Sequence, residues 1–149
     1  VGDGVEYNRL LLRIQKEKIT NATIFPRVSA AQARAIQKKA DILLVHLERT
    51  ALTKMGIPQK IQAYMASGKP ILAAVEGEGA QLVKEAGCGL TCYPSDSVLL
   101  AETILQAEAL PVSVKNEMGR CGHDYYTKRM GYDVGIEKID HLICDVLRH

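Results

Sequence analysis

Hydrophobic residues recur along the chain with two spacings, and each spacing predicts a different kind of element. Near the N-terminus, Leu10, Leu11 and Ile14 fall on one face, which is the period of an amphipathic helix. Residues 42–45 and 70–75 are instead apolar throughout, as is typical of strands that are covered on both faces of a sheet. The pattern therefore predicts an α/β protein.

Capping and turn residues mark where the predicted elements begin and end. Ser29 and Gln32 have the spacing of a capping box, which predicts a helix from about Ala30 to Ala40. Pro58 fits the first turn of a later helix, and Gly68 fits the end of that helix. The remaining predictions are a strand tail at 1–4, a helix at 5–18, short strands at 22–25 and 89–92, a helix to Ala86, a helix capped by Asp96 or Ser97 that reaches Ala109, and two helices within 112–148, broken at 131–133.

Strands that alternate with helices imply right-handed crossovers and a mostly parallel sheet. We therefore predict a Rossmann-like parallel sheet with helices on both faces and the two last helices packed outside it. No repeat and no low-complexity linker interrupts the sequence, so residues 1–149 are predicted to form a single domain.

Composition narrows the class of protein. Apolar residues make up 47% and charged residues 24% of the chain, and the net charge is +2, which favours a globular protein over a disordered or nucleic-acid-coating one. The four cysteines form no C-x-x-C pair, and no histidine accompanies them at zinc-ligand spacing. We expect reduced thiols in a cytoplasmic protein. No apolar run approaches the roughly 20 residues of a membrane span, so membrane contact is predicted to be peripheral, at the inner face.

Ligands of open parallel sheets bind at the carboxyl ends of the strands, which places the informative loops at 26–29, 46–60 and 76–79. Two of these loops open helices, and the free amides of a helix start suit a diphosphate. Lys60 adds a positive charge there, and Gly77 lets the backbone approach a ligand closely. Loops of this kind also occur only to turn the chain, so the loops alone leave both interpretations open.

A specific resemblance is carried by Tyr64–Ala73, which reads Y-M-A-S-G-K-P-I-L-A. It resembles the "E-x-M-A-x-G-x-P-V-I-A" signature of the family 4 glycosyltransferases. Other segments are similar to that family's motifs in the same order: Val1–Gly4 to "v-G-d-G-p", Arg27–Ser29 to "G-x-V-s", Ala40–Val45 to "A-D-v-l-v", and Gly89–Asp96 to "G-l-v-v-p-p-g-D". The resemblance extends from residue 1 to about residue 105.

This resemblance implies the C-terminal, donor-binding half of a GT-B enzyme, whose N-terminal half holds the acceptor. It implies a nucleotide diphosphate sugar as donor, with the loop at Arg27 and Val28 around the base. The positions that it implies for the diphosphate and the sugar are Pro58, Gln59, Lys60, Glu76, Gly77, Glu78 and Gly79. The motif "P-x-K-x-Q-x-Y-M-A-x-G-K-P" resembles that of a subgroup of transferases that build surface polysaccharides, such as O-antigen, from UDP-N-acetylamino sugars. The resemblance implies that the sugar is transferred to a lipid-linked or saccharide acceptor.

The sequence departs from the family's pattern in two ways. Many members carry two glutamates eight positions apart, near the donor sugar and the ribose, where this chain has Met55 and Ala63. Neither side chain accepts a hydrogen bond, and Glu76, Glu78 or Gln62 would have to replace the glutamates. The family's phosphate-binding Arg and Lys lie in a strand-helix unit before the Gly-Asp-Gly turn, and that unit is missing. The isolated chain is therefore expected to bind donor weakly and to be inactive.

The family's chemistry implies a metal-free, retaining transfer, and no Asp-x-Asp pair of the metal-dependent transferase fold occurs here. Three alternatives are a UDP-sugar 2-epimerase half, a non-catalytic nucleotide- or sugar-binding module, and a dehydrogenase. A dehydrogenase is the least favoured, because the turn at Gly2–Gly4 lacks the third glycine of G-x-G-x-x-G. His46 and Lys54 are further candidates at the same edge. Outside this edge, three tyrosines lie near three cations in the sequence. They would form a membrane-facing or interdomain patch, or they would simply pack a helix against the rest of the protein: Tyr125, Tyr126 and Tyr132, with Arg120, Lys128 and Arg129.

Overall fold

The computed structural model describes residues 1–147. Its chain divides into two compact units, Val1–Lys39 and Ala40–His149. The predicted grouping of all residues into one domain stays a prediction.

The first unit contains two helices, α1 (Tyr7–Lys16) and α2 (Ala30–Lys39). The capping box before α2 is confirmed: the Ser29 amide donates to Gln32 Oε1 at 3.0 Å, and the Gln32 amide donates to Ser29 Oγ at 3.3 Å. Both helices lie where the sequence pattern predicts them.

The strands predicted at 1–4 and 22–25 are wrong. Across these residues, all of which the structure describes, the backbones share one hydrogen bond, from the Gly2 amide to the Phe25 carbonyl at 3.0 Å. A strand requires repeated pairing, and the exposed side chains of Val1 (62%) and Phe25 (51%) provide no buried face to support it. A β-rich run thus stays irregular in this unit.

The second unit is built on a parallel sheet. In its described residues the strands are β1 (Leu43–His46), β2 (Ile71–Ala74) and β3 (Gly89–Cys92), in the order β1-β2-β3. Leu43 pairs with Ile71, and Ile71 pairs with Gly89. All residues of β2 are buried, which agrees with its uninterrupted apolar sequence. The strands predicted from the apolar runs at 42–45 and 70–75, and the short strand predicted at 89–92, are confirmed. Coverage on both faces is confirmed for β2 but is wrong for β1, where Leu43 and Val45 are buried and Leu44 is 46% exposed.

Helices lie on both faces of this sheet. In its described residues the second unit contains the helices α3 (Ala51–Lys54), α4 (Gln59–Ala66), α5 (Glu78–Glu85), α6 (Ser97–Ala109), α7 (Val112–Arg129) and α8 (Tyr132–Leu147), of which α4, α5, α6 and α7 contact the strands. On one face the odd positions of β2, such as Ile71 and Ala73, join Ile61 of α4 and Val83 of α5 in the larger core. On the other face the alternate residues Leu72 and Ala74 pack with Ala107 of α6, and Leu99 and Leu100 of the same helix lie against them. The predicted α/β class is confirmed.

Capping residues set several of these boundaries. Asp96 caps α6, because its carboxylate accepts hydrogen bonds from the amides of Val98 and Leu99 at 3.1 and 2.9 Å. Gly68 follows α4 with a φ of +69°, the left-handed conformation that favours glycine after a helix. Both predicted signals are confirmed, whereas α3 was not predicted.

The cysteines are free thiols, as predicted. Cys88 and Cys92 are buried, and Cys144 is exposed. Burial raises the pKa of the Cys88 thiol to about 11, so this group is a neutral part of the core.

The C-terminal helices differ in how they pack. Helix α7 packs closely against α4, whereas α8 contacts α7 and has no buried residue in its described length. The break between them lies at Met130 and Gly131, slightly before the predicted position. Within residues 1–147, no helix alone has the length and hydropathy to span a membrane, and α6 with α7 and α8 meets that test only jointly, across a bend of 107°.

Close approach of α7 to α4 predicts a cost for a side chain at Gly119. A Cβ there would lie 2.2 Å from the carbonyl oxygen of Gly68, which is backbone and cannot rotate away. We expect Gly119→Ala to lower the free energy of unfolding by about 1–3 kcal/mol, measured by urea denaturation. Gly135→Ala in α8 is the matched control, because a Cβ there meets nothing within 4 Å. It is expected to be neutral or stabilising, and equal losses in both variants would contradict the packing argument.

Candidate functional site

The three parallel strands end at one edge of the sheet, so the loops that follow them lie side by side. The loop after β1 contains α3 and leads to α4 at Gln59; the turn after β2 leads to α5 at Glu78. The segment after β3 begins with Tyr93 and ends at the cap of α6. Residues distant in sequence can therefore meet at this edge.

Glu76 is where these loops meet. Arg49 Nε donates to Glu76 Oε2 at 3.0 Å, and Lys54 Nζ lies 2.9 Å from Glu76 Oε1. From the third loop, the Tyr93 hydroxyl donates to Glu76 Oε1 at 3.4 Å. The Arg49 guanidinium also lies over the Tyr93 ring, with Cζ 5.2 Å from the ring centroid. One carboxylate thus joins side chains from all three loops.

The charge state of Glu76 follows from these neighbours. The hydrogen bond from Lys54 lowers the pKa of the Glu76 carboxyl most, and the positive charges of Lys54 and Arg49 lower it further. Partial burial opposes the shift but does not reverse it. Glu76 is therefore ionised at neutral pH and acts here as a hydrogen-bond acceptor rather than as a proton donor.

The turn between β2 and α5 requires glycine at Gly77. Its φ is +69°, and a Cβ at this position would lie 1.9 Å from the carbonyl oxygen of Lys54. The loop after β1 therefore rests directly on this turn. Two residues further along, in the first turn of α5, a Cβ at Gly79 would lie 3.0 Å from Pro58 Cδ and 3.2 Å from Ile61 Cδ1. The starts of α4 and α5 are thus in contact with each other.

Both helix starts leave backbone amides for a ligand. In the described residues, neither Pro58 before α4 nor Gly77 before α5 provides a side-chain cap. The first amides of a helix have no partner inside the helix, and the dipole makes that end positive. Two adjacent uncapped starts form a surface that suits an anion.

Two open clefts adjoin Glu76. One has a volume of about 460 Å³, which falls in the size range of small-molecule sites, and it lies between the start of α5 and the segment after β3. The other, of about 340 Å³, lies on the side of the loop after β1. The first is lined by Glu76, Gly77, Ala80, Gln81, Thr91 and Tyr93, among others, and the second by Arg49, Thr50, Ala51, Lys54 and Glu76. Glu76 lines both clefts.

The structure brings most of the predicted site residues together. Pro58–Lys60 form the start of α4 and Glu76–Gly79 form the turn and first residues of α5. Lys60 and Glu78 are exposed. Arg27 and Val28 belong to the first unit, where Arg27 lies 3.9 Å from the Asp3 carboxylate and is largely exposed. Their predicted role at the base stays a prediction.

Packing accounts for two of the three tyrosines predicted outside this edge. Tyr125 and Tyr126 pack against the larger core, and Arg129 lies over the Tyr125 ring with Cζ 5.7 Å from its centroid. Arg120 pairs with Glu117 and, at 3.0 Å, with Asp124. These contacts favour the packed interpretation for Tyr125 and Tyr126, whereas Tyr132 is 80% exposed, and the interdomain or membrane-facing role of that residue stays a prediction.

Sequence reasoning missed Arg49 and Tyr93 at this edge. The helix that presents Lys54 was also missed, although its capping signal could be read: Thr50 and Thr53 each accept a hydrogen bond from the other's amide, at 2.9 and 3.1 Å. His46 ends β1 and is exposed. The sequence did contain a signal for this cluster: the loop after β1 carries two cations, Arg49 and Lys54, and the neighbouring strand β2 is followed by an acid, Glu76.

Comparisons with known proteins agree with one another. The family model described as "Glycosyl transferases group 1" matches residues 1–123. The "Probable glycosyltransferase WbjE" of Pseudomonas aeruginosa is 31% identical over 106 residues, which cover 70% of this chain and 26% of that protein. The solved sucrose-phosphate synthase of Thermosynechococcus elongatus is similar in fold, with a TM-score of 0.72 and 18% identity, over 97% of this chain and 35% of that one. The chain spans about a quarter to a third of the length of these proteins.

Proposed function

This chain belongs to the group 1 glycosyl transferases, with the GT-B type of fold that its motifs predict, and we propose that it is the donor-binding half of such an enzyme. The proposed donor is a nucleotide diphosphate sugar, specifically a UDP-N-acetylamino sugar. The proposed acceptor is a lipid-linked or saccharide molecule in surface polysaccharide synthesis. The observation that carries the proposal is the contact between the two uncapped starts of α4 and α5.

The chemistry of glycosyl transfer explains why this surface matters. As the glycosidic bond breaks, the nucleotide diphosphate leaves with its negative charge while the sugar carbon becomes cationic. Preorganised amides and cations stabilise such a leaving group without having to reorganise during the reaction. The amides that begin α4 and α5, together with Lys60 in the first turn of α4, supply such donors. Breakage of the bond to the nucleotide is therefore the step that this edge favours.

The cleft beside α5 suits the sugar. Its volume of about 460 Å³ leaves room for a hexosamine next to a diphosphate at the helix starts. Gln81, Thr91 and Tyr93 line it and offer hydrogen-bond partners for hydroxyl and acetamido groups. Uridine as the base rests on the resemblance in Pro58–Pro70, with Arg27 and Val28 as its proposed contacts.

The remaining features of the proposal follow from the family resemblance. The transfer is proposed to retain the anomeric configuration and to need no metal. An acceptor-binding N-terminal domain is proposed to belong to the same enzyme, without which the isolated chain is inactive. The proposed location is the cytoplasm, at the inner face of the membrane.

A non-catalytic binding module is the second candidate. Two positions at which related enzymes carry donor-binding glutamates hold Met55, which is 74% exposed, and Ala63, which is also exposed. Without these acceptors a site can hold a diphosphate and still lack contacts that promote transfer. Binding and turnover must therefore be measured separately.

Titration of the full-length protein tests the proposed function. We expect UDP to bind more tightly than GDP or uridine in isothermal titration, and a UDP-N-acetylamino sugar to be consumed when a lipid-linked acceptor is present. Lys60→Met should weaken UDP binding about fivefold, since an exposed ion pair contributes at most about 1 kcal/mol. Lys128→Met, an exposed lysine of α7, is the matched control and should bind as the wild type does. Tight binding without turnover would support the module, and absence of nucleotide binding would contradict both functions.

A further inference from the structure

An unusual feature of the site is that two cations share one carboxylate. Arg49 and Lys54 both come from the loop after β1, and they contact different oxygens of Glu76, at 3.0 and 2.9 Å. The local sum of these three charges is +1. A carboxylate oxygen pair held between two cations has the same partners that a phosphate group would have.

The exposure of the three side chains shows which of them can still bind a ligand. Arg49 and Lys54 are 56% and 55% exposed, whereas Glu76 is 18% exposed. A guanidinium has five N–H groups and an ammonium has three, so each cation keeps donors that Glu76 does not use. These donors line the cleft of about 340 Å³. An anion can therefore reach both cations from solvent.

The backbone places this pair beside a helix start. The Lys54 carbonyl oxygen lies 1.9 Å from the position of a Cβ on Gly77, so the residue that carries the ammonium packs directly on the turn that opens α5. The cations and the free amides of α5 thus border the same anion-binding surface. Exposed ion pairs contribute little to folding, about 0–1 kcal/mol, so stability alone gives little reason to collect these charges here.

We propose that Arg49 and Lys54 bind the diphosphate of the donor, and that Glu76 occupies them as an internal substitute until the donor arrives. This inference rests on the proposed function and identifies its phosphate-binding side chains. A diphosphate carries more negative charge than one carboxylate and has more acceptor oxygens, so it displaces Glu76 from the cations. Glu76 also lines the cleft of about 460 Å³, and once released it accepts hydrogen bonds from the sugar there.

The exchange supplies the donor with both an acceptor and cations. Met55 and Ala63 offer no acceptors to the donor, whereas Glu76 provides one from a different strand end. Arg49 and Lys54 provide cations for the diphosphate within the second unit itself. The site thus has both kinds of partner, cation and acceptor, on one edge of the sheet.

UDP titration of full-length variants tests the exchange, with uridine as the probe that lacks phosphate. Arg49→Met and Lys54→Met should each weaken UDP binding about tenfold and leave uridine binding unchanged. Glu76→Gln should strengthen UDP binding a few-fold, because the amide competes less for the cations. Glu117→Gln is the matched control, since Arg120 likewise lowers the pKa of that carboxyl, on α7. It should leave UDP binding unchanged.

The result for Glu76→Gln separates exchange from a merely structural role. A carboxylate that only holds the loops together would, when replaced, lower both the thermal midpoint and the affinity for UDP, and that result would overturn the proposal. Equal UDP affinity in wild type, Arg49→Met and Lys54→Met would also overturn it while leaving the proposed function intact. If the wild type bound no UDP, both would fail. Lys54→Arg, which keeps the charge, should bind UDP within a few-fold of wild type, so a folding defect in Lys54→Met would not hide the answer.

Discussion

Replacing Gly77 with alanine is expected to disrupt both the fold of the edge and its binding of UDP. The residue has a φ of +69°, and the added Cβ would lie 1.9 Å from the Lys54 carbonyl oxygen. The positive φ costs about 1–2 kcal/mol for a residue with a side chain, and displacing the adjacent backbone costs about 1–3 kcal/mol more. We expect the free energy of unfolding to fall by the sum, and UDP affinity to fall roughly tenfold or more because the two loops no longer meet correctly. Urea denaturation and isothermal titration measure the two effects.

Gly87 provides the matched control for this prediction. It also has a positive φ, +59°, but a Cβ there would meet nothing within 4 Å. Gly87→Ala should therefore show only the conformational cost and should bind UDP as the wild type does. If the two variants lost equal stability and bound UDP equally, the contact between Lys54 and Gly77 would have no role in the site.

Truncating Ile61 is expected to have the second large effect. Ile61 lies in the first turn of α4, and its side chain is fully buried. Its Cδ1 lies 3.2 Å from the position of a Cβ on Gly79 of α5. Ile61→Ala leaves a cavity at the contact of the two helix starts, and such deletions cost about 2–5 kcal/mol. We expect a loss of that size in urea denaturation. UDP binding should weaken as well, because the spacing between the two sets of amides is no longer fixed.

Leu105 on α6 is the control for the deletion, since it is 63% exposed and also aliphatic. Leu105→Ala should change stability by no more than about 0.5 kcal/mol. Ile61→Val, which removes a single methylene, should cost about 0.5–1.5 kcal/mol and keep most UDP binding. Wild-type UDP affinity in a strongly destabilised Ile61→Ala would show that the helix starts do not depend on each other.

Local signals predicted the elements of this fold where the chain itself contains the cause. The apolar run at 70–75 forms β2 because a strand covered on both faces must be apolar throughout. The run at 42–45 also forms a strand, β1, although that strand buries only Leu43 and Val45. Ser29 with Gln32, and Asp96, begin helices because their side chains accept hydrogen bonds from amides a few residues away. These causes act within one turn of chain, so no tertiary contact is needed to recognise them.

The failed strands show where local signals end. Residues 22–25 have a β-rich composition, yet the structure records one backbone hydrogen bond between them and 1–4. Composition makes a segment compatible with pairing, but a strand exists only when a partner satisfies its amides and carbonyls. That partner is a tertiary property.

Sequence alone determined the family of this protein, its parallel sheet, and the two helix starts at 58–60 and 76–79, because each follows from residues that are neighbours in the chain. Only the tertiary structure decided that Arg49 and Tyr93 would reach Glu76, across separations of 27 and 17 residues. The order β1-β2-β3 and its register bring their loops together. Strand order and register depend on pairing between distant segments, and the pattern of any one segment does not contain them.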